Sequence, residues 1–130
     1  MTPTRGEVWM FDCGMAEKVR PVVVLSSPFA DTDRAVVTVV FHSTALRGSQ
    51  FEVKVQMPFL KEGAFIAQSL ATYPTVRAIR KLGTLNTAQL TAVETAVFQW
   101  LGKTYLGGQV HPLAFSFQPF PSLLLSTTAS

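Results

Sequence analysis

Short apolar runs separated by turn-forming residues fill the first two-thirds of the chain. Val22 to Ser26 and Val36 to Phe41 are continuous β-branched and aromatic runs, a pattern typical of strands buried on both faces. Phe51 to Val55 instead alternates apolar and charged residues, as a half-buried strand does. Further candidate strands are Glu7 to Asp12, Ala64 to Ile66 and Val76 to Leu82. Several short strands at this spacing predict a sandwich or a closed barrel.

One amphipathic helix is predicted after these strands. Asn86 with Gln89 three residues later forms a capping-box pattern, and Gly102 supplies a stop signal. Apolar residues then recur at helical spacing at Leu90, Val93, Val97 and Trp100 or Leu101. We expect this helix to pack on the sheet through that apolar stripe.

The composition indicates a folded cytoplasmic protein. With 130 residues, 48% of them hydrophobic and 15% charged, the chain suffices for one domain with a core. The single cysteine, Cys13, cannot form an internal disulfide, which favours a reducing compartment. Met1 to Glu7 lack an apolar signal segment, and no apolar run approaches the roughly 20 residues of a membrane span. We therefore expect a cytoplasmic location and no membrane contact.

Charge and composition change along the chain. A net charge of +3 and a pI of about 9.4 favour a nucleic-acid partner only slightly. Every Lys, Arg, Asp and Glu lies at or before Lys103. We place a barrel domain at residues 1–106 and a Pro-, Phe- and Leu-containing extension at residues 107–130. The extension is an ordered appendage over an apolar patch, a partner-binding arm or a poorly ordered tail.

Arg20 is the first candidate for chemistry. It stands directly before an apolar run, and a guanidinium stays charged and needs anionic company. Pro21 fixes its own φ and biases Arg20 toward an extended backbone. One interpretation is a surface arginine at a strand start. The other is a phosphate clamp that stabilises the charge of a pentacoordinate transition state.

His42, Ser43 and Thr44 end the next apolar run. Hydroxyls at strand ends usually satisfy nearby backbone groups. Beside Arg20, however, a hydroxyl could bind a non-bridging phosphate oxygen or orient a reacting 2′-OH. His42 is either a buried strand-end residue or, because imidazole titrates near neutral pH, a general acid or base.

Basic and aromatic residues elsewhere allow two interpretations. Arg47 and the cluster formed by Arg77, Arg80 and Lys81 are either solvated surface charges or a groove that follows a phosphate backbone. Phe65 and Tyr73 could stack on bases, but core packing is the better interpretation for Phe65. The sequence has no phosphate-binding glycine loop and no cysteine pairs, and its two histidines stand far apart. We expect no metal and no cofactor.

Several segments resemble one known family in order and spacing. They are Arg5-Gly6-Glu7-Val8-Trp9, Arg20-Pro21-Val22-Val23-Val24-Leu25-Ser26, His42-Ser43-Thr44-Ala45-Leu46-Arg47-Gly48 with Phe51-Glu52-Val53, Gly63-Ala64-Phe65-Ile66-Ala67-Gln68-Ser69-Leu70, and Ile79-Arg80-Lys81-Leu82-Gly83-Thr84-Leu85. Together they cover roughly residues 4 to 102 and resemble the MazF/PemK toxin endoribonucleases (mRNA interferases) of bacterial type II toxin–antitoxin systems.

The resemblance implies a fold, partners and a reaction. The implied fold is mainly β (α+β), an SH3-like small β-barrel with a C-terminal amphipathic helix, assembled as a homodimer. The implied substrate is single-stranded RNA, often mRNA, cut without a metal to give 2′,3′-cyclic phosphate and 5′-OH ends, and a cognate antitoxin neutralises the enzyme. Arg20 matches the family arginine that acts on the scissile phosphate. Ser43 matches the position usually held by the catalytic threonine, and Thr44 follows it.

The chain also departs from the family pattern. Residues 14–19 form a shorter loop than the common one before the Arg-Pro pair, so base preference does not transfer. Gln68-Ser69 stands where many members have an acidic residue, so either His42 compensates or activity is weak. The expected RNA contacts are Lys18, Arg47, Gln68, Ser69, Arg77, Arg80 and Lys81. The alternative function is a non-catalytic SH3-like module that binds RNA or protein and retains the toxin fold.

Overall fold

Short strands dominate the computed structural model, which describes residues 2–14, 18–106 and 109–112. The strands are β1 (Glu7–Asp12), β2 (Val19–Val24), β3 (Val36–Ser43), β4 (Glu52–Val53), β5 (Ala64–Ile66), β6 (Ala71–Pro74), β7 (Ala78–Thr84), β8 (Lys103–Leu106) and β9 (Gln109–Pro112). Helix α1 (Thr87–Trp100) follows β7, and short 3₁₀ helices, Ala67–Ser69 and Thr75–Arg77, precede β6 and β7.

The long strand β3 organises the sheet, whose order is β4-β5-β3-β2-β1-β7 with every neighbouring pair antiparallel. Residues 36–39 of β3 pair with β6, whereas His42 and Ser43 pair with β5. The fold is therefore mostly β with one helix, as predicted. Within the described residues the sheet does not close into a full barrel, because β6 pairs only with β3 and a 3₁₀ helix separates it from β7.

The central strands are buried on both faces, as their continuous apolar runs predict. Successive side chains of a strand point to opposite faces. One core contains Trp9, Phe11, Val22, Val24, Val37 and Val39. The other contains Val8, Val23, Val40 and Phe65 together with Val93, Ala96 and Val97 of α1. The helix therefore covers one face of the sheet, and the predicted core role of Phe65 is confirmed.

The helix begins at the predicted capping box. The Asn86 side chain accepts a hydrogen bond from the Gln89 backbone N–H at 2.8 Å, and the Gln89 side chain accepts one from the Asn86 N–H at 2.9 Å. Gly102 follows the helix with φ +80, a conformation that favours glycine. Trp100 packs edge-to-face on Phe51, with ring centroids 5.4 Å apart, although it remains partly exposed.

Strand boundaries differ from the predictions mainly beside the polar residues. β2 begins at Val19 and so includes Arg20 and Pro21, and β3 continues through His42 and Ser43. The strand predicted at Val76 to Leu82 runs instead from Ala78 to Thr84. Arg20 and Ser43 thus belong to the sheet, which holds their backbones rigidly.

The C-terminal part of the described chain forms a hairpin. β8 pairs antiparallel with β9, so its ladder crosses the boundary that we placed between residues 106 and 107. Residues 113–130, which hold most of the predicted extension, lie outside the described residues. Across residues 2–14, 18–106 and 109–112, no helix is long and apolar enough to span a bilayer.

Candidate active site

The four predicted catalytic residues line one cleft of about 500 Å³. Arg20 enters it from β2, and His42, Ser43 and Thr44 enter it from the end of β3. Two more predicted residues, Lys18 and Arg80, line the same cleft. Its apolar lining comes from Met10, Val19, Pro21, Phe59, Leu60 and Leu82, and Lys61 adds a further positive charge. The cleft therefore combines a basic rim with an apolar interior.

Strand register explains why these residues meet. β1 lies between β2 and β7, and its ladders pair Phe11 with Arg20 and Met10 with Arg80. On the other side of β2, Val22 pairs with Phe41. Carried two residues further along both strands, that register sets Ser43 opposite Arg20. The predicted meeting of the arginine with the hydroxyls follows from this antiparallel pairing.

An aromatic ring supports the guanidinium of Arg20. Its central carbon lies 4.6 Å from the centroid of the Phe41 ring, a cation–π arrangement, and the residue is half-buried. The backbone N–H of Phe41 donates to Ser69 Oγ at 2.8 Å, and Ser69 Oγ donates to the Ile66 carbonyl at 2.7 Å. Ser69, a predicted RNA contact, thus uses its hydroxyl to hold the strand beneath Arg20.

The two hydroxyls differ in exposure. Ser43 is half-buried, and its Oγ accepts a hydrogen bond from the Ala45 backbone N–H at 3.0 Å. That bond leaves the hydroxyl proton as a donor for an anionic oxygen. Thr44 is exposed at the rim of the cleft. Ser43 is therefore the better-oriented hydroxyl of the pair.

A carboxylate that the sequence did not single out organises the loop after Thr44. Glu52 accepts hydrogen bonds from the backbone N–H groups of Arg47, Gly48 and Ser49 at 2.7, 2.9 and 3.2 Å. These bonds, the one from Arg47 first, lower the pKa of Glu52. The sequence signal for this role is weak. It is a glutamate that follows an Arg-Gly-Ser segment, with Glu52 three residues after Ser49.

His42 is the buried residue among the four predicted catalytic residues that line the cleft. It is 4% exposed, and its ring packs edge-to-face on Phe65 with centroids 5.2 Å apart. Its Nε2 has no hydrogen-bond partner among the described residues. Burial lowers the pKa of His42, because desolvation disfavours the imidazolium. The neutral imidazole is therefore the favoured form at pH 7.

Four of the predicted RNA contacts, besides Ser69, do not line the cleft: Arg47, Gln68, Arg77 and Lys81. Arg77 Nη1 donates to the Asp12 carbonyl at 3.3 Å, and Lys81 forms an ion pair with Glu7 at 3.0 Å. Arg77 also lies over the Tyr73 ring, 5.8 Å from its centroid. Arg77 and Lys81 thus have contacts within the sheet, whereas Gln68 is exposed on a 3₁₀ helix.

The ion pair of Lys81 belongs to a small network around Glu7. Glu7 accepts hydrogen bonds from the Thr4 N–H at 2.8 Å and the Trp9 indole at 2.9 Å. Burial alone would raise the pKa of Glu7, but the hydrogen bonds from Thr4, Trp9 and Lys81 outweigh it and lower the pKa to about 2. This network lies outside the cleft and ties β1 to β7.

No group of three or more His, Cys, Asp or Glu side chains within the described ranges could hold a metal ion. The candidate chemical groups that line the cleft are a guanidinium, two hydroxyls and an imidazole.

Comparison with known proteins decides the family. Residues 4–101 match the model for the PemK-like, MazF-like toxin of type II toxin-antitoxin systems. The chain belongs to this PemK/MazF toxin family. The matched residues include every residue that lines the cleft, whereas the β8–β9 hairpin follows them. No curated protein sequence matches the chain.

Solved structures of MazF toxins share the fold. A MazE–MazF complex from Deinococcus radiodurans is 19% identical, with a TM-score of 0.66 over 78% of this chain and 97% of that one. An endoribonuclease from a mycobacterial species, in complex with its cognate antitoxin, is 24% identical, with a TM-score of 0.66 over 77% and 95%. The Mycobacterium tuberculosis toxin MazF-mt6 is 24% identical, with a TM-score of 0.61 over 73% and 95%. At these identities the likeness is one of fold.

Proposed function

We propose that this PemK/MazF family toxin is an endoribonuclease that cuts single-stranded RNA, including mRNA, without a metal. The observation that carries the proposal is the meeting of Arg20, His42, Ser43 and Thr44 in one basic cleft. A guanidinium with hydroxyls suits a phosphodiester, because both donate hydrogen bonds to phosphate oxygens. Lys18 and Arg80 on the rim attract the flanking phosphates.

The proposed reaction uses the RNA's own 2′-OH as the nucleophile. The 2′ oxygen bonds to the adjacent phosphorus while the bond from phosphorus to the 5′ oxygen breaks. The 2′-OH gives up a proton and the leaving 5′ oxygen gains one, so the products are a 2′,3′-cyclic phosphate and a 5′-OH. Arg20 stabilises the negative charge that builds on the non-bridging oxygens. Ser43, supported by Thr44, binds one of those oxygens or orients the 2′-OH.

His42 is the proposed general base in this scheme. The Asp-Gln segment of many family members is replaced by Gln68-Ser69, so no acidic group stands there. A neutral imidazole in the cleft lining can accept the 2′-OH proton. Because burial holds the pKa of His42 below 6.5, activity is expected to rise with pH through that lowered pKa and then to level off.

The proposed partners follow from the same cleft. An antitoxin segment with acidic side chains would pair with the basic rim and block RNA, as oppositely charged surfaces associate. The Deinococcus radiodurans neighbour is a MazE–MazF complex, and the mycobacterial endoribonuclease was solved in complex with its cognate antitoxin. We further propose that the toxin acts in the cytoplasm as a homodimer.

The test is cleavage of a mixed single-stranded RNA pool with EDTA present, followed by mapping of both new ends. We expect cyclic phosphate and 5′-OH ends, and Arg20→Ala is expected to lower the rate by about 10²–10³-fold. Arg34→Ala is the matched control, since Arg34 is exposed and outside the cleft. A substrate with a 2′-deoxy sugar at the cut site should resist cleavage.

Two results would contradict the proposal in different ways. RNA binding without cleavage by the wild-type protein would favour the non-catalytic module. Equal cleavage by Arg20→Ala and Arg34→Ala would remove Arg20 from the mechanism.

A further inference from the structure

One wall of the cleft comes from a segment to which no chemistry has been assigned. Residues 54–63 connect β4 to β5 and are here named the wall segment. Three of its members, Phe59, Leu60 and Lys61, line the cleft together with Arg20. Phe59 and Leu60 are partly buried and pack against the core that α1 covers. The wall segment thus presents an apolar surface beside the phosphate-binding residues.

The ring of Phe59 occupies the space that a side chain at position 83 would fill if Gly83 were another residue. A Cβ added to Gly83 of β7 would lie 2.5 Å from Phe59 Cε2 and 2.6 Å from Cζ. Gly83 is not among the glycines with positive φ, so its backbone does not require glycine. The close approach of Phe59 instead favours glycine, because carbon atoms pack about 3.5–4.0 Å apart and a Cβ at position 83 would displace the ring. Glycine at position 83 therefore leaves room for the Phe59 ring at its present place in the cleft lining.

The other end of the wall segment is fixed against the catalytic strand. Gly63 is buried, and a Cβ there would meet the Ser43 carbonyl group and lie 2.8 Å from His42 Cε1. The wall segment is thus seated on β7 through Phe59 and on β3 through Gly63. These two packing contacts fix the position of the wall segment relative to the strand ends that carry the candidate catalytic groups.

We propose that Phe59 is a further substrate-binding residue, which packs against an unpaired base beside the scissile phosphate, and that Gly83 is its positioning residue. This inference rests on the proposed endoribonuclease function. A single strand needs two kinds of contact, positive charge for phosphates and an aromatic or apolar surface for the base. The cleft supplies both, because Arg20 and Arg80 line it together with Phe59 and Leu82.

The experiment compares Phe59→Leu, Gly83→Ala and the double variant with wild type on an RNA oligonucleotide that contains a mapped cut site. We expect Phe59→Leu to raise KM about tenfold with little change in kcat, because a stacked base is lost. Gly83→Ala should raise KM similarly, because the new Cβ displaces the ring by about 1 Å. Thr84→Ala, at an exposed neighbour on β7, is the control and should match wild type.

Two further readouts separate base packing from a structural role. In the double variant the shorter leucine removes the clash, so its KM should equal that of Phe59→Leu. Abasic nucleotides on either side of the cut should raise the wild-type KM and abolish the difference between wild type and Phe59→Leu. Thermal unfolding of each variant shows whether any change follows stability instead.

The contradicting outcomes are distinct. If the wild-type protein cleaves RNA and both Phe59→Leu and Gly83→Ala have the same KM as wild type, this inference is wrong and the proposed function stands. A lower melting temperature with unchanged KM, or a difference that persists on abasic RNA, also overturns it. A wild-type protein that fails to cleave RNA overturns both.

Discussion

Ser69 offers a sharp test of whether a predicted RNA contact is instead part of the scaffold. It lies where β3 changes partners, between its pairing with β6 at residues 36–39 and its pairing with β5 at His42 and Ser43. At that gap the Phe41 N–H has no strand partner on this side and donates to Ser69 Oγ. Backbone donors in a protein interior need an acceptor, and the Ser69 hydroxyl supplies the one that a neighbouring strand does not.

The magnitude follows from the two hydrogen bonds that Ser69→Ala removes. The Phe41 N–H and the Ile66 carbonyl both lose a partly buried partner. A donor left unsatisfied in this way costs about 1–3 kcal/mol of unfolding free energy. At this chain length 1 kcal/mol lowers the melting temperature by roughly 4 °C, so Ser69→Ala should melt roughly 4 °C or more below wild type.

Thermal and urea unfolding measure the loss of stability in Ser69→Ala. Binding to an RNA with a 2′-deoxy sugar at the cut site, which cannot be cleaved, measures whether Ser69 contacts RNA instead. Gln68→Ala is the matched control, because Gln68 is the exposed neighbour on the same 3₁₀ helix and should cost less than about 0.5 kcal/mol. An unchanged melting temperature combined with weaker RNA binding would refute the scaffold role and restore Ser69 as an RNA contact.

Two further predictions concern the hydroxyl at the cleft and the acid limit of stability. Ser43→Ala should reduce kcat strongly while Ser43→Thr retains activity, because the position needs a hydroxyl; equal kcat for the alanine and wild-type proteins would transfer the role to Thr44. Since the pKa of Glu7 is about 2 when folded and 4.5 ordinarily, its contribution to stability is complete above pH 4.5 and is lost as the pH falls towards 2. In acid titrations of unfolding free energy, Glu7→Gln should therefore show a flatter pH dependence than wild type or the exposed control Glu62→Gln, and a parallel curve would contradict the assignment.

Local rules recovered the elements of the fold better than its connections. The capping box at Asn86 and Gln89 involves neighbours in sequence, so its prediction was confirmed atom by atom. The runs in β2 and β3 were correctly predicted as buried on both faces. Pairing of one strand with two partners depends on residues some 30 positions apart, as in Thr38 with Thr72, and no local pattern encodes it.

Site residues that belong to a sequence motif could be predicted, whereas residues that reach the site through tertiary packing could not. Arg20 and Ser43 stand beside conspicuous apolar runs, and the structure brings them to one cleft. Phe59 lies in a segment without periodicity, and the role that we propose for it rests on its place in the cleft and its contact with Gly83. The RNA contact predicted for Lys81 stays a prediction, but its ion pair with Glu7, which is distant in sequence, could not be predicted from a local pattern.

The position of the cleft follows from the way the sheet is built. Along a paired strand, neighbouring side chains enter opposite cores and cannot meet in one site. At the ends of β2 and β3 the two cores no longer separate them, so the successive residues Arg20 and Pro21 both line the cleft, as do His42 and Ser43. Each of these strand ends thus contributes two neighbouring residues to the cleft lining instead of one. This geometry places the guanidinium of Arg20 and the hydroxyl of Ser43 in the same cleft as the imidazole of His42, whose ring packs on Phe65 in the core that α1 covers.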